Sequence, residues 1–543
     1  MVKAACANSL WWLAGGPSYA AFTSALHAPD AAQERVLRTF LRKNSHTSFG
    51  REHGLPRVRT SEEFTRRVPI RNYDELRPWI DRIQRGEPQV LTNEPVTRLV
   101  PTSGSTAARK LIPYTASMHG ELNSAISPWI SDLYRSYPRA LLGASYWSIS
   151  PVSSAEFQPA EDSAVPIGFD DDAAYLGPFR KSLINAGMAV PPEVSQIASI
   201  EDWRYVSALL LLRRSDLSLV SVWHPSFFSL LLRVIQENWE QLLSEISRGA
   251  CAVTGRLSPS VAASIKSRPN PRRAQELHGI SPLRVDRLWP KLIVLSCWAD
   301  GHAAAAAGEL AQSLGSIVLQ PKGLIATEGI ISIPFAGCHP VAIRSHYLEF
   351  EEDSGRVLRA SELRANHEYN VILTTGGGLW RYRLGDRIAV DALLGRTPSI
   401  RFVGKSVQVS DRMGEKLSDG FVASVFSKLF ADERSRPAFA MLAPDVDGEG
   451  CRYTLYLSAD APDEICAKLD LLLSANPHYA YCRRLAQLSS PRFFRVSGDA
   501  FAEYSSRLMR AGKILGEIKP AGLSPLDDWS KHLSGQYESC GAR

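Results

Sequence analysis

Apolar residues recur at helical spacing in the first part of the chain. Residues 31–41 form one such stretch, and the Ser-Glu-Glu-Phe sequence that begins at Ser61 carries a helix-start signal. The N-terminal segment has the same spacing, which predicts an amphipathic helix that enters a core rather than a signal peptide. Its apolar positions are Leu10, Leu13, Tyr19, Phe22 and Leu26.

Strand-like and helical stretches alternate further along the chain. A strand-like stretch over 217–223 interrupts the helical residues 200–247. Residues 292–296 are a short, mostly apolar run, typical of a parallel strand buried on both faces, and a helix over 303–314 and a strand over 316–320 follow. This alternation predicts an α/β fold in which helices cover a mixed sheet.

The pattern changes near Gly404. Residues 329–403 are mostly strand-like, and a smaller α+β unit follows the glycine. We therefore expect a large N-terminal domain over 1–404 and a mobile C-terminal lid domain over 405–543. Strands are predicted at 371–375, 387–390, 400–403, 452–458 and 493–496, and helices of the lid at 421–430 and 463–474.

Composition narrows the classes of function. The formal charge is only +6, from 62 basic and 56 acidic residues spread along the chain, so a nucleic-acid surface is not indicated. Apolar runs such as 208–212 are too short to span a bilayer, and no membrane partner is expected. The eight cysteines form no Cys-x-x-Cys pair, which favours thiols in a reducing, cytoplasmic compartment.

The segment 101–115 is the strongest candidate for binding chemistry. It joins the strand predicted at 96–100 to a helix predicted at 116–134. Small residues let backbone N–H groups converge on phosphate oxygens, hydroxyl groups add donors, and a lysine adds a positive charge. The Walker pattern is absent, and a Ser/Thr turn before a helix is the alternative. The candidates are Thr102, Ser103, Gly104, Ser105, Thr106 and Lys110.

Two later segments favour the phosphate-binding interpretation. Thr-Glu-Gly at 327–329 and Tyr-Arg-Leu-Gly-Asp at 382–386 follow the loop in the order and at the distances of adenylate-forming enzymes. The chain resembles the auxin-responsive acyl-acid amido synthetases, in their bacterial form, nearly from end to end. The matching segments are TSFGREHG, SGSTAARKLIPYT, YWSISPV, LWPKLIVLSCWADG, KGLIATEG, LWRYRLGD, GEKL and LGEIKP.

The resemblance implies an adenylate-forming fold that uses ATP and Mg²⁺, and it assigns roles to three residues. Glu328, next to Thr327, would bind magnesium; without the resemblance, a capping or ion-pairing glutamate is the better interpretation. Asp386 would accept hydrogen bonds from both ribose hydroxyls. Lys519 would be carried by the lid onto the acyl and phosphate oxygens, and Lys513 is its competitor.

Other nucleotide contacts have structural alternatives. Tyr382 either packs beside the adenine or braces the sheet. Cys297 and Trp298 follow a predicted strand at the position that walls the adenine in the family, although a structural tryptophan accounts for Trp298 equally well. Arg401, or else Lys405, would reach the ribose or a phosphate.

The phosphate loop departs from the family pattern at three positions. Ala107 and Ala108 replace a pair of glycines, and Arg109 replaces the proline before the lysine. These changes make the loop stiffer and put its grip on phosphate in doubt.

Aromatic residues at two predicted strand ends are candidates for the acyl pocket. They would suit an apolar or aryl acid, but a buried helix–strand junction has the same pattern. His224, which lies among them, is expected to be a hydrogen-bonded structural histidine. The candidates are Tyr146, Trp147, Ser148, Trp223 and Phe227.

The predicted activity is adenylation of a carboxylic acid by ATP, then transfer of the acyl group to an amine. The products would be an amide, AMP and pyrophosphate, and the resemblance implies an amino acid as the amine. One alternative is transfer to coenzyme A or to a carrier thiol. An in-line carrier is not expected, because no serine-bearing carrier domain is appended. Another alternative is a non-catalytic nucleotide-binding protein marked by Ala107-Ala108. The joint presence of Lys110, Glu328, Asp386 and Lys519 argues against the latter.

Overall fold

The computed structural model divides the chain into two compact units. The large unit comprises residues 1–299, 305–384 and 389–401, and the small unit comprises 300–304, 385–388 and 402–543. The residues that the structure describes are 2–102, 110–148, 163–168, 185–405, 409–410, 412–413, 415, 417–430, 437–447, 450–462, 464–485, 487–510, 518 and 522–538.

The helices of the large unit begin at side-chain caps. Thr60 accepts a hydrogen bond from the backbone of Glu63, which confirms the helix start predicted at Ser61. Asn72 and Glu75 form a reciprocal capping box. The helices are α1 (Val2–Ala25), α2 (Pro29–Asn44), α3 (Ser48–Glu52), α4 (Ser61–Arg67), α5 (Tyr73–Gln84), α6 (Ala116–Ser136), α7 (Ile200–Arg213), α8 (Pro225–Glu237), α9 (Trp239–Arg248), α10 (Pro259–Ile265), α11 (Pro271–His278), α12 (Val285–Leu288) and α13 (Ala304–Ser313).

Helix α1 buries only part of the predicted face, since Phe22, and Leu26 just after the helix, are buried as predicted. Leu10 and Leu13 are 54% and 62% exposed, so the prediction that they enter the core is wrong. The buried face repeats every three or four residues and consists mainly of small side chains, with Trp11 and Phe22 as its large members. At Gly15 a Cβ atom would lie 2.2 Å from the hydroxyl oxygen of Ser131 on α6, so the two helices approach too closely for a leucine there.

A four-stranded parallel sheet forms the centre of one part of the large unit. Its order is β3-β4-β5-β6, and every neighbouring pair runs parallel. Helices α7 and α8 contribute buried leucines and phenylalanines to its core. Because the strands are parallel, their carboxyl ends meet at one edge. The strands are β3 (Ala144–Trp147), β4 (Leu217–Ser221), β5 (Val294–Cys297) and β6 (Val318–Pro321).

A five-stranded sheet and two hairpins contain the other strands of this unit, although residues 385–388 and 402–405 of the sheet belong to the small unit. The sheet order is β10-β9-β11-β12-β13, and β1 with β2 and β7 with β8 form antiparallel pairs. The strands are β1 (Arg98–Thr102), β2 (Lys110–Tyr114), β7 (Ile325–Ala326), β8 (Gly329–Ile330), β9 (Tyr347–Glu351), β10 (Val357–Leu358), β11 (Glu368–Thr374), β12 (Tyr382–Leu394) and β13 (Thr397–Lys405).

The small unit is an α+β structure with a buried sheet. Its sheet order is β16-β17-β18-β19, with β17 and β18 parallel. Alternate residues point to two cores: Leu442 and Leu455 pack with α14, α15 and α16, whereas Met441 and Tyr456 pack with α17. The elements are β14 (Val409–Ser410), β15 (Leu417–Ser418), α14 (Asp419–Leu429), β16 (Ala440–Asp447), β17 (Gly450–Leu457), α15 (Ile465–Leu473), α16 (Pro477–Arg484), β18 (Arg492–Val496), α17 (Ala500–Arg510) and β19 (Gly535–Glu538).

Two further predictions concern membrane-spanning helices and the state of the cysteines. Within the described ranges, no helix combines the length and the apolar character that a membrane span requires. Six cysteines are free thiols, namely Cys6, Cys251, Cys297, Cys338, Cys451 and Cys482, whereas Cys466 is disulfide-bonded.

Candidate active site

Strand β2 links three motifs that lie far apart in the sequence. At its start, the ammonium of Lys110 lies 3.4 Å from the hydroxyl of Tyr382 and 5.8 Å from the ring centre of Tyr73. At its end, the hydroxyl of Tyr114 donates a 2.8 Å hydrogen bond to the carbonyl oxygen of Thr327. The lysine of the loop motif, the tyrosine of Tyr-Arg-Leu-Gly-Asp and the threonine of Thr-Glu-Gly are therefore joined through one strand.

Thr327 and Glu328 form the two-residue turn of the β7–β8 hairpin, since Ala326 pairs with Gly329. Glu328 is buried, and it does not lie at a helix start, so the helix-capping interpretation of this residue is wrong. Burial, and secondly the charge of Glu328, raise the pKa of the Tyr114 hydroxyl. Tyr114 therefore stays protonated and can donate to Thr327, a bracing role that the sequence did not predict.

The donor set around this turn fits a cation that arrives with a phosphate ligand. The described part of the chain contains no group of three His, Cys, Asp or Glu side chains that could hold a metal by itself. Glu328 supplies one hard carboxylate. Magnesium is commonly bound by one or two carboxylates together with substrate phosphates and water, so a single glutamate is compatible with it.

Two arginines anchor the start of strand β12. The guanidinium of Arg381 donates two 2.9 Å hydrogen bonds to Glu349, and that of Arg383 donates to Glu351 at 3.0 and 2.7 Å. Both glutamates lie on β9. These paired interactions fix the direction of β12 at Tyr382, whose side chain is fully buried.

Asp386 follows a glycine with a left-handed backbone inside β12. Gly385 has a φ of 84°, in the left-handed region that glycine adopts without strain. Asp386 is assigned to the small unit and is buried. The Gly-Asp order of the motif thus has a backbone reason that is independent of any ligand.

The ends of the parallel strands bring the other candidates to one edge of the sheet. Trp147 pairs with Ser221, and Ser221 pairs with Ser296 on the next strand. Just beyond these pairs, the backbone N–H of Trp298 donates a 3.0 Å hydrogen bond to the carbonyl of Trp223. Ligands of open α/β sheets bind beyond the carboxyl ends of the strands, so this edge has the expected position for a substrate site.

Tryptophan rings form much of this edge. The rings of Trp129 and Trp147 lie 6.4 Å apart in an edge-to-face arrangement, and Trp11 lies 5.7 Å from Trp147 on another side. Trp223 remains 38% exposed. Trp129, on α6, was missed because only its contact with strands far away in the sequence identifies it.

Lys322 is a second residue that the sequence did not identify. It follows β6, its backbone N–H donates to the carbonyl of Cys297 at 2.8 Å, and its ammonium lies 4.6 Å from the ring centre of Trp223. Burial lowers its pKa to about 7. Burial also raises the pKa of the Cys297 thiol to about 12, with Lys322 acting in the opposite direction.

The remaining candidates have the following places. Tyr146, at the end of β3, and Phe227, on α8, pack in the hydrophobic core, and Ser148 is buried directly after β3. His224 caps α8 by accepting from the backbone of Ser226, as expected of a structural histidine. Arg401 is exposed and pairs with Asp391 at 2.9 Å. Thr102 ends β1, whereas Ser103, Gly104, Ser105, Thr106 and Lys519 lie outside the described residues, as do Ala107, Ala108, Arg109 and Lys513.

The chain is similar to plant amido synthetases over most of its length. It is 22% identical over 534 residues to the indole-3-acetic acid-amido synthetase GH3.4 of Arabidopsis thaliana, covering 90% of this chain and 88% of the relative. It is 24% identical over 455 residues to the indole-3-acetic acid-amido synthetase GH3.2 of the same plant, covering 75% and 80%.

Solved structures share the fold. The acyl acid amido synthetase AtGH3.15 in complex with 2,4-DB matches with a TM-score of 0.82 at 20% identity, covering 95% of this chain and 96% of that one. A 2-hydroxyisobutyryl-CoA ligase in its postadenylation state matches with a TM-score of 0.50 at 10% identity, covering 93% and 92%. These matches confirm the predicted α/β adenylate-forming fold.

Family models identify the chain directly. The GH3 family N-terminal domain matches residues 18–317, the central domain 340–405 and the C-terminal domain 424–525. Together with the motifs linked by β2, these matches show that the chain belongs to the GH3 family of acyl-acid amido synthetases.

Proposed function

We propose that this protein is an ATP-dependent acyl-acid amido synthetase, a ligase that forms a carbon–nitrogen bond through an acyl-adenylate. The carboxylate of the acid attacks the α-phosphate of ATP and pyrophosphate leaves. An amine then attacks the acyl carbon, AMP leaves, and the amine loses a proton to give the amide. The observation that carries the proposal is the contact of β2 with both later motifs, through Lys110 to Tyr382 and through Tyr114 to Thr327.

Different residues are proposed to bind the phosphates, the metal ion and the ribose of ATP. The loop from Thr102 to Lys110 binds phosphates, and Glu328 holds magnesium, which supplies charge neutralisation on the triphosphate when bound. Asp386 accepts hydrogen bonds from the ribose. Lys519 provides a positive charge near the reacting phosphate when the C-terminal domain, 405–543, moves as a lid about the chain near Gly404. Tyr382, Cys297, Trp298 and Arg401 are proposed as further nucleotide contacts.

The acid is proposed to bind at the tryptophan edge of the parallel sheet. The exposed face of Trp223 and the rings of Trp147 and Trp129 offer flat apolar walls. Such walls suit an aryl or other apolar acid. The relatives named above act on indole-3-acetic acid according to their names, which supports an acid of this kind and an amino acid as the amine.

Transfer to coenzyme A is the second candidate. It is supported by the structural match to a coenzyme A ligase, whose fold is shared at a TM-score of 0.50. Both candidates begin with the same adenylation, so only the product distinguishes them.

The test is a product assay with purified protein. Acid, ATP and magnesium are incubated with an amino acid mixture or with coenzyme A, and amide, thioester and pyrophosphate are measured by mass spectrometry and a coupled assay. Amide formation that depends on both ATP and the amine supports the proposal. Formation of the thioester alone would favour a coenzyme A ligase. If none of the acids stimulates pyrophosphate release from ATP, the protein would be a nucleotide-binding protein without this activity.

Two finer statements are also proposed. The bacterial form of the family is supported by segments such as KGLIATEG and LGEIKP. A cytoplasmic location is supported by six free cysteines among the described residues, while the disulfide at Cys466 counts against it.

A further inference from the structure

Lys322 is a buried lysine whose ammonium lies beside two tryptophan rings. The residue is only 5% exposed. The described residues give its ammonium no hydrogen bond or ion pair, and the nitrogen itself keeps some contact with solvent. Its neighbours are two tryptophan rings, with centres 4.6 Å away for Trp223 and 5.8 Å away for Trp129. Buried ammonium groups are normally paired, so this arrangement needs an explanation.

The tryptophans stabilise the ammonium only in part. Ring faces attract cations, but this attraction replaces a small part of the hydration that the ammonium loses on burial. Consistent with this, burial lowers the pKa of Lys322 to about 7. An anionic or hydrogen-bond-accepting ligand group next to the nitrogen would supply the missing partner and hold the proton in place.

The backbone around Lys322 is fixed rather than adaptable. Its N–H donates to Cys297, and at Gly323 a Cβ atom would lie 2.2 Å from the carbonyl oxygen of Ser332. The indole N–H of Trp129 donates a 3.1 Å hydrogen bond to the side chain of Gln320, which orients the ring over the lysine. The ammonium is therefore held at the carboxyl edge of the sheet, next to the proposed acyl walls.

We propose that Lys322 is a specificity-determining residue of the acyl pocket, which donates a hydrogen bond to an anionic or acceptor substituent that the acid carries in addition to its reacting carboxylate. This proposal rests on the proposed function. The two flat tryptophan faces near the ammonium favour an aromatic acid with a ring hydroxyl or a second carboxylate.

The reacting carboxylate is a poorer partner for Lys322. Adenylation turns that carboxylate into an acyl phosphate ester with little charge on the acyl oxygen, so a lysine bound to it would lose its partner after the first step. A substituent on the far side of the acid keeps its charge or lone pairs through both steps. The hydrogen bond between this substituent and Lys322 therefore has the same strength in the ground state and in the transition state. Its loss should raise KM and leave kcat nearly unchanged.

The test compares matched acids in the wild type and in variants. The acids are 4-hydroxybenzoate and benzene-1,4-dicarboxylate, each against 4-methylbenzoate, and acid-dependent pyrophosphate release is measured with saturating ATP. The variants are Lys322→Met, which removes the charge at similar length, and Lys322→Gln, which retains a donor. Lys266→Met is the matched control, because Lys266 is an exposed lysine directly after α10.

We expect the wild type to prefer an acceptor-bearing acid over 4-methylbenzoate by at least about tenfold in kcat/KM. Lys322→Met should abolish this preference through KM, Lys322→Gln should retain part of it, and Lys266→Met should leave it unchanged. An unchanged preference in Lys322→Met, or a wild type that prefers the methyl acid, overturns the proposal. An equal loss for all acids also overturns it, since it would assign Lys322 to the reacting carboxylate or to stability.

Failure of the proposed function is distinguishable from failure of this inference. If no acid releases pyrophosphate, binding of the same acids is measured by quenching of tryptophan fluorescence. Tighter binding of an acceptor-bearing acid that disappears in Lys322→Met would support the anion-binding role without turnover. Equal affinities in the two proteins would overturn it.

Discussion

The buried ammonium of Lys322 should make the stability of this protein depend on pH in a way that one substitution removes. Burial lowers the pKa of Lys322 from 10.5 to about 7. Below pH 7 the ammonium is protonated in both the folded and the unfolded states, and its burial penalty is fully present. Between pH 7 and 10.5 the unfolded chain binds more protons than the folded protein, so the free energy of unfolding rises with pH.

The magnitude follows from the pKa shift. Each pH unit above the folded pKa adds up to about 1.4 kcal/mol to the free energy of unfolding, until the ordinary pKa is reached. Between pH 6 and pH 9 the wild type should therefore gain about 3 kcal/mol relative to Lys322→Met. The thiol of Cys297, the titratable neighbour that opposes the shift, has its pKa raised to about 12 and stays neutral over this range.

Urea unfolding, followed by tryptophan fluorescence at pH 6, 7, 8 and 9, measures this difference. Lys322→Met should be more stable than the wild type at pH 6 and should lose that advantage as the pH rises. The Lys266→Met variant, at an exposed lysine, should follow the wild type at every pH. Parallel pH profiles for the wild type and Lys322→Met would refute the reasoning, because they would mean that the lysine is hydrated in the folded state.

Three further predictions concern the adenylation chemistry. Glu328→Gln should lose roughly 100-fold or more of acid-dependent pyrophosphate release with the fold intact, and near wild-type rates would remove it from the metal site. Asp386→Ala should raise KM for ATP; a selective rise in KM for the acid would contradict the ribose role. Lys519→Ala should block pyrophosphate release but still convert a supplied acyl-adenylate to amide, whereas Lys513→Ala should impair neither half-reaction. Equal loss of both half-reactions in Lys519→Ala would indicate a structural lysine.

Local signals predicted most elements of the fold with small shifts at their ends. The strand expected at 217–223 ends at Ser221, and the strand expected at 292–296 begins at Val294. Both are short runs whose burial on two faces dominates their sequence pattern. The prediction for Leu10 and Leu13 of α1 was wrong because the core side of this part of the helix consists mainly of small residues. A hydrophobicity pattern gives leucines more weight than the alanines and glycine that allow a close helix contact.

The residues of the candidate site could be predicted where they lie in sequence motifs. They could not be predicted where contacts between distant segments of the chain define them. Glu328 and Asp386 stand in motifs that resemble a known family, and the structure adds backbone reasons for their positions: a two-residue hairpin turn and a left-handed glycine. Tyr114 also lies within a quoted motif, but its bond to Thr327 joins residues 213 positions apart. No local pattern contains that information.

Lys322 shows why the identity of the acid is harder to infer than the reaction. In the sequence it stands in a Gln-Pro-Lys-Gly turn, where a lysine is ordinarily hydrated. Its burial depends on Trp129 from α6 and Trp223 from the end of β4, which reach it only in the folded chain. Adenylation needs the same phosphate, metal and ribose contacts for any acid, so its residues can stand in recognisable motifs. On the proposal made for Lys322, selection of the acid depends on how a few aromatic side chains from separate elements surround one ammonium group, and that arrangement is visible only after the chain is folded.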